Sequence, residues 1–452
     1  MPEKKMCGQI LNVGMPLVVS MSSTTVMEFT DRLFLGWYSL DAIAAATPAA
    51  MLALLFVTVF FGTGGYVSVF VAQYIGSKQP EKVGAILWQG LYLAGSAAVC
   101  TCCISFVLPE IFSLVGHSTA VQRLEVAYCR VLCLGAGMQV AGVVLSAFFS
   151  GQGRTRVVMV ANITGMIINI PLNYALINGL WLLPELGVVG AGLATVTGWI
   201  VIAVILAGQA FTKKNETSFC VRSATAFSKD LFGRLLYYGA PGGGIFFLEM
   251  FSFTAFVFAV GKIGTVELAA SNIALTINSI AFLPLVGFSI AASVLTGQAI
   301  GGKKTDIVPD ILRCTLYLVT GYLTFLGLLF LFCPEIFLSI FQLGQSVDNG
   351  FEQVARLARV MLRFVVFYLF FDGLTYAVYG VLKGAGDTWF VMASQVVCAV
   401  LAMLLPLWTG LHLGLGVYFL WACVCFYIIS LGLSALYRYR QGKWRFLHVV
   451  EI

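Results

Sequence analysis

Two carboxylates stand where a carboxylate is costly to keep. Glu249 lies in Phe246-Phe-Leu-Glu-Met-Phe-Ser-Phe253 and Asp372 in Tyr368-Leu-Phe-Phe-Asp-Gly373. Both have almost only apolar neighbours and no basic residue within a helical turn. A charge at the centre of a bilayer costs at least ~2.5 kcal/mol on insertion scales, so such an acid needs a reason. It can carry a proton, hold a cation or face a wet cavity, and each of these is the chemistry of moving ions.

A third acid, Asp31, is read two ways. Glu28, Asp31 and Arg32 share one helical face, and Glu28 precedes Arg32 by four, the better order for an ion pair. Either the three neutralise one another or Asp31 serves a site. A further polar group comprises Asn162, Asn169 and Asn173, with Pro171 disrupting the backbone ladder between the last two. Two amides and freed carbonyls beside a carboxylate make an oxygen-rich pocket for a hard cation or a proton relay. Asparagine is also common glue between membrane helices, and that reading stands beside the first.

The elements that must position these residues are membrane spans. The chain is 60% hydrophobic and 10% charged, against about 25% charged in soluble domains. A spanning helix needs about 20 apolar residues. About twelve such stretches can be marked, roughly 10–36, 45–75, 85–108, 122–150, 156–180, 188–211, 235–260, 266–299, 311–333, 354–382, 388–411 and 414–437. The expected class is an all-α polytopic membrane protein.

The spans form a repeat. Pro16 and Pro241, Gly36 and Gly261, Ala44-Ala45 and Ala269-Ala270, Gly62 and Gly287, Gln73 and Gln298, Gly76 and Gly301, and Lys78 and Lys303 are all 225 positions apart. Pro109-Glu-Ile-Phe112 returns as Pro334-Glu-Ile-Phe337 and, after a slip, Gly151-x-Gly153-x-Thr155 as Gly384-x-Gly386-x-Thr388. Six spans separate the copies, so they are parallel repeats, an architecture of secondary transporters. The expected organisation is an N-lobe over 1–211, a polar linker over 212–233 joining lobes that move separately, and a C-lobe over 234–452. The acids are not repeated: Asp31 aligns with Phe256, Glu249 with Thr24 and Asp372 with Gln139. Gly62-Thr-Gly-Gly65 and Gly242-Gly-Gly244 lie inside helical stretches as bends or points of close contact.

Lys and Arg gather at Lys4-Lys5, Lys78, Lys82, Arg154, Arg156, Lys213 through Arg234, Lys303-Lys304, Arg313, Lys383 and Arg438 through Arg445. These share one side of a twelve-span layout, while Glu110, Glu125, Glu185, Glu335, Asp348 and Glu352 mark the other. Both termini and the linker are therefore expected in the cytoplasm. Met1–Lys5 is short and basic with no cleavage pattern after it, so no cleavable leader is expected. The net charge of +6 is spread over many segments and implies no nucleic acid. The twelve cysteines, including Cys100-Thr-Cys-Cys103, lie mostly in apolar helices and read as packing residues. His117, His412 and His448 stand apart, and no metal-ligand spacing, hydrolase elbow or Walker loop is present. An enzyme is not expected, and transport must draw on a gradient. With 36 Phe, 17 Tyr, 8 Trp and 13 Met, a central cleft would offer adaptable apolar and cation–π surface to flat organic cations.

Pro16, Asp31-Arg-Leu-Phe-Leu-Gly36, Leu40, Ala44-Ala45 and Gln73-Tyr-Ile-Gly76, with Pro241, Ala269-Ala270, Gln298-Ala-Ile-Gly301 and Gly384-Ala-Gly-Asp-Thr388, resemble the multidrug and toxic compound extrusion (MATE) family over essentially all twelve spans. Within it the chain most resembles the NorM-type branch. The resemblance implies two six-helix bundles in a V shape, exporting organic cations in exchange for Na⁺ or H⁺, with no other cofactor. It implies a C-lobe cation site at Glu249 and Asp372, with Tyr368 near the ion and Asn272 as an amide neighbour. It implies an N-lobe site at Asp31, Asn169 and Asn173, with Thr195 as a further ligand. Other branches have an aspartate where this chain has Asn173, which favours the C-lobe pair for coupling. The remaining expectations are membrane lipid as surroundings, a monomer and a bacterial inner membrane. The alternative is a flippase for lipid-linked oligosaccharide or peptidoglycan precursors, which would need an Arg- or Lys-lined cleft. A receptor or channel subunit without coupled transport is a more distant reading.

Overall fold

Each apolar stretch becomes a helix because its backbone polar groups have no water to bond and must pair within the segment. In the structure, a computed structural model describing residues 2–114, 117–180, 183–342 and 349–451, all regular secondary structure among those residues is helical. Asp348 lies outside them. The first half runs α1 (Pro2–Tyr38), α2 (Leu40–Gly65), α3 (Val67–Gly76), α4 (Lys82–Ser113), α5 (Thr119–Gly151), α6 (Thr155–Asn178) and α7 (Gly187–Ala210). After the short α8 (Lys213–Phe219), the second half runs α9 (Lys229–Gly261), α10 (Thr265–Gly301), α11 (Val308–Phe332), α12 (Pro334–Gln342), α13 (Asn349–Ala385), α14 (Thr388–Cys398), α15 (Leu405–His412) and α16 (Gly416–Gln441). A π-helical segment, Ala399–Leu404, joins α14 to α15.

Caps set several boundaries. The Ser39 hydroxyl accepts from the Ala42 N–H at 3.0 Å and starts α2 directly after α1 ends. The Thr212 hydroxyl does the same for α8, and Gly179 and Gly442 end α6 and α16 in the left-handed region. Among the described residues, eleven helical stretches are long and apolar enough to cross a membrane. The expected tenth span, 354–382, lies on α13, a helix of 37 residues whose first turns carry Glu352, Arg356, Arg359 and Arg363. The chain is an integral membrane protein.

The helices sort into two compact units. The N-unit is Pro16–Gly244 with Ile300–Lys303 and Val449–Ile452; the C-unit is Met1–Met15, Ile245–Ala299 and Lys304–His448. Each repeat therefore lends the opening turns of its first helix to the other unit, and the divisions fall at or near the equivalent prolines Pro16 and Pro241.

In the N-unit α5 is the central helix, packed on α2, α3, α4 and α7. Ala42, Ala46, Ala49 and Ala53 form a small-residue stripe on α2 and share one core with Leu132, Cys133 and Ile177. Small side chains let membrane helices approach closely, where packing rather than hydrophobicity drives association. The glycine clusters meet here. A Cβ added to Gly62 would lie 2.1 Å from the Gly243 nitrogen, so α2 and the start of α9 cross backbone to backbone. In the C-unit the repeat partner of α5, α13, is central, packed on α11 and α16. Trp421 of α16 is fully buried there, donating to the Ser271 hydroxyl at 3.1 Å and meeting Phe256 edge-on.

The linker is fastened along α4 rather than left as a loose tether. Trp88 Nε1 donates to the Val221 carbonyl at 2.8 Å. Gln89 donates to the Ala226 carbonyl and accepts from the Ser228 N–H, and the Tyr92 hydroxyl donates to the Thr225 carbonyl. Within it the Glu216 carboxylate accepts from the Arg222 N–H and from the Ser223 hydroxyl. These bonds, the Arg222 one foremost, hold its carboxyl below the ordinary glutamate value.

Half of the cysteines are buried, among them Cys129, Cys133 and Cys314, whereas Cys100 and Cys103 are exposed. His117, expected to stand apart, meets the fully buried Glu125 at 2.7 Å.

Candidate functional site

Helical geometry brings one set of polar side chains together in the C-unit. Tyr368, Asp372, Tyr376, Tyr379 and Lys383 recur at three- or four-residue intervals along α13, which places them on one face. Glu249, half-buried on α9, meets this face: the Tyr376 hydroxyl donates to its Oε1 at 2.7 Å. The Tyr376 ring is steadied edge-on by Phe282 of α10, centroids 5.4 Å apart. Asp372 is half-buried one turn before Tyr376 and lies within electrostatic reach of Glu249. Tyr368 is fully buried one turn further back, and its hydroxyl has no partner among the described residues.

The polar set continues beyond the acids. Tyr379 shares a hydrogen bond with Ser394 at 2.9 Å, and Gln395 Nε2 donates to the Tyr427 hydroxyl at 2.7 Å. Lys383, in the last turn of α13 and not in a loop, lies within electrostatic reach of Glu249. Asn272 does not join: it is exposed on α10 and hydrogen-bonds to neither acid. The resemblance locates Asn272 on its helix but not on a face.

A second set gathers in the N-unit. Asp31 of α1 is 5% exposed. Asn173 Nδ2 of α6 donates to its Oδ1, and the Thr195 hydroxyl of α7 donates to its Oδ2 at 2.6 Å. The same hydroxyl is 3.1 Å from the Ala191 carbonyl, and its single proton serves one acceptor at a time. Asn169 is fully buried one turn before Asn173, and among the described residues neither its amide atoms nor the Asn173 carbonyl oxygen has a partner. Gly198 admits Asn169 to the α6–α7 contact, since an added Cβ would already touch it at 3.5 Å. Asn162 instead donates to the Val158 carbonyl of its own helix. Glu28 and Arg32 are exposed, and among the described residues no ion pair joins them to each other or to Asp31. Asp31 is satisfied by an amide and a hydroxyl, not by Arg32.

Both sets combine a carboxylate with neutral oxygens and hydroxyls inside a membrane span. Buried polar atoms are rarely left without partners, and the orphaned oxygens of Asn169, Asn173 and Tyr368 all lie in helices carrying an acid or contacting one. Oxygen ligands around a carboxylate suit a hard monovalent or divalent cation, and the hydroxyls suit proton exchange. Tyr376, Tyr379, Gln395, Tyr427 and the position of Lys383 escaped the sequence reading. The stripe at helical spacing through Asp372 is the signal that would have found the α13 members.

Comparison with known proteins agrees with this arrangement of helices. Among curated proteins, the chain is 26% identical over 383 residues to a probable multidrug resistance protein NorM of Photorhabdus laumondii, covering 84% of this chain and 82% of that one. It is 28% identical over 430 residues to a probable multidrug resistance protein NorM of Burkholderia pseudomallei, covering 94% and 91%. Among solved structures, a MOP superfamily transporter from Pyrococcus furiosus superposes with a TM-score of 0.85 at 18% identity, covering 97% of this chain and 96% of that one. The Vibrio cholerae MATE transporter VcmN gives 0.84 at 17% identity, covering 98% and 99%. These superpositions establish the fold. The MatE family model matches residues 16–175 and 241–408. It spans both repeats and takes in Asp31, Asn169, Asn173, Glu249 and Asp372, and the chain belongs to the MatE family.

Proposed function

We propose that this protein is a secondary active multidrug efflux antiporter, exporting organic cations in exchange for Na⁺ or H⁺ by alternating access. The observation that carries the reading is the pairing of Glu249 with Tyr376 beside Asp372 in an apolar span. A carboxylate held by a neutral hydroxyl exchanges that bond for an ion at little cost, whereas one locked to an arginine does not. The curated relatives, named as multidrug resistance proteins, support the substrate class.

In the mechanism, the outward-facing protein binds the driving ion at Glu249 and Asp372, and Asp31 with Asn169 and Asn173 forms the second such centre. Occupying the acids neutralises them and weakens their hold on a cationic drug. The protein then turns inward, releases the ion, takes up drug from the cytoplasm or inner leaflet and returns. Coupling is the differential affinity of one ion for two states. The protein acts as a monomer in a bacterial inner membrane with both termini in the cytoplasm. The acidic character of both centres argues against a flippase for pyrophosphate-linked substrates.

The test is efflux of a fluorescent organic cation from proteoliposomes under an imposed Na⁺ gradient and then an imposed pH gradient, with Glu249→Gln in parallel. Efflux driven by one gradient and abolished in the variant is the expected result. Undiminished ion-driven efflux by folded Glu249→Gln protein would remove Glu249 from the mechanism.

A further inference from the structure

The repeat preserves more than the transport scaffold. Gln73-Tyr-Ile-Gly-Ser-Lys78 and Gln298-Ala-Ile-Gly-Gly-Lys303 end α3 and α10 in the same way. In the first copy the Lys78 N–H donates to the Ile75 carbonyl and the Gln79 N–H to the Tyr74 carbonyl. In the second the Lys303 N–H donates to the Ile300 carbonyl and the Lys304 N–H to the Ala299 carbonyl. This closure forces the second residue after the helix into the left-handed region, with φ of 58° at Lys78 and 55° at Lys303. Glycine takes that conformation freely and is the usual occupant; lysine is strained there. Strain retained in both copies points to a use for the side chain.

The two lysines come together. Both helix ends belong to the N-unit. Gly301 lies so close to Gln73 that an added Cβ would be 2.1 Å from the Gln73 carbonyl oxygen. Beside this contact is a cavity of about 260 Å³ lined by Lys78, Lys303 and the Ser77, Gln79 and Gly302 between them. Among the described residues neither lysine has a carboxylate partner within salt-bridge distance. Lys78 also lines an adjoining cavity of about 550 Å³, whose other walls are Arg154, Gln152 and the apolar Ile75, Pro80 and Phe219. Arg154 is steadied there over the Phe149 ring and by Asn215.

We propose that Lys78 and Lys303, flanked by Arg154, bind a net-anionic phosphate group, that of an acidic phospholipid headgroup. Unpaired cations around a concavity repel one another until an anion enters. The apolar wall beside Arg154 suits the glycerol and upper acyl portion of a lipid. Gly76 and Gly301 are the last residues of two membrane spans, which sets the site at headgroup level. The site uses none of the acids assigned to transport, so it stands apart from that reading.

The experiment uses full-length protein in detergent, with binding of phosphatidylglycerol, phosphatidylcholine and inorganic phosphate measured by native mass spectrometry and thermal protection. The variant is Lys78→Gly with Lys303→Gly, which removes both charges and suits the backbone, so it folds at least as well as the parent. Wild-type protein should bind phosphatidylglycerol more tightly than phosphatidylcholine, and the variant should lose roughly 30-fold, the effect of about two lipid-surface cations. A Lys213→Gln, Lys214→Gln control removes equal charge from exposed α8 and should leave binding unchanged. Protection by inorganic phosphate that the variant loses supports the same site and identifies a soluble phosphate as a second source; absence of that effect leaves the lipid as the occupant. Phosphatidylglycerol affinity unchanged in the glycine variant, or lost equally in the control, overturns the proposal.

Discussion

Adjacent glycines in α9 should respond oppositely to the same substitution. A Cβ on Gly243 would lie 2.6 Å from Val59 Cα and 2.8 Å from the Thr58 carbonyl oxygen, both backbone atoms of α2. Non-bonded carbon atoms settle near 3.5–4.0 Å, so the helices must separate by about 1 Å. Overpacking of this kind costs ~1–3 kcal/mol, and a clash with rigid backbone belongs at the upper end. Against this, Ala stabilises a helix interior over Gly by roughly 0.5–1 kcal/mol. The net for Gly243→Ala is a loss of about 2 kcal/mol. A Cβ on Gly242 meets nothing nearer than the Gly62 carbonyl oxygen at 3.4 Å, an ordinary contact. Gly242→Ala should therefore keep the helix gain, separating the two variants by about 3 kcal/mol. At roughly 1 °C per kcal/mol for a chain of this length, their melting midpoints should differ by about 3 °C. Thermal unfolding in detergent, followed by tryptophan fluorescence, measures this directly. Midpoints within about a degree of each other would refute the reasoning that backbone contact limits this crossing.

Three further outcomes are expected. Tyr376→Phe keeps the ring against Phe282 and removes the donor to Glu249. A hydrogen bond to a charged group contributes ~1.5–3 kcal/mol, so the ion concentration for half-maximal efflux should change by roughly 10- to 150-fold with no loss of folded protein; an unchanged ion titration counts against Glu249 as the coupling acid. Arg438 grips Asp387 with two bonds, 2.6 and 3.0 Å, and stacks on Phe390 within the C-unit. Arg438→Ala leaves Asp387, 6% exposed, unpaired, at a cost of about 3–5 kcal/mol seen in the melting curve, with a smaller loss for Arg438→Lys. Because the folded linker holds Glu216 below its usual value of 4.5, the bonds to Arg222 and Ser223 persist above that pH and are lost as pH falls below it. Protease cleavage within 212–233 should rise only in that acid range, and Glu216→Gln should raise it at neutral pH.

The spans were legible because a bilayer penalises charge over some twenty consecutive residues, and that pattern survives without an alignment. Helix ends were less so: α1 runs on to Tyr38 because Ser39 caps its successor, a choice made by hydrogen bonds rather than hydropathy. The break at Tyr66 between α2 and α3 has no breaker stronger than the glycines before it. Glu249, Asp372 and Asp31 stood out by the cost of burying them. Tyr376 did not, since a tyrosine in an aromatic-rich chain carries no signal until its partner is known. Spacing allowed Glu28 and Arg32 to pair, yet both are exposed and, among the described residues, no ion pair joins them. Lys383 fell one residue past the expected span 354–382 because the helix end, not the composition, decides that it belongs to α13.

Met1–Met15 packs in the C-unit, where Gly14 meets Phe288 and Ala291, residues made much later in synthesis. The N-unit in turn incorporates Ile300–Lys303 and Val449–Ile452, where the fully buried Gln73 side chain accepts the Val449 and Val450 N–H groups. Domains commonly fold one after another as the chain emerges. Here neither unit can be finished in that order, since stretches of the second repeat and the segment after it complete the first-made unit. A chain cut at the linker would not yield two self-sufficient halves: each fragment would carry the opening turns that the other needs, and only their joint production would restore both.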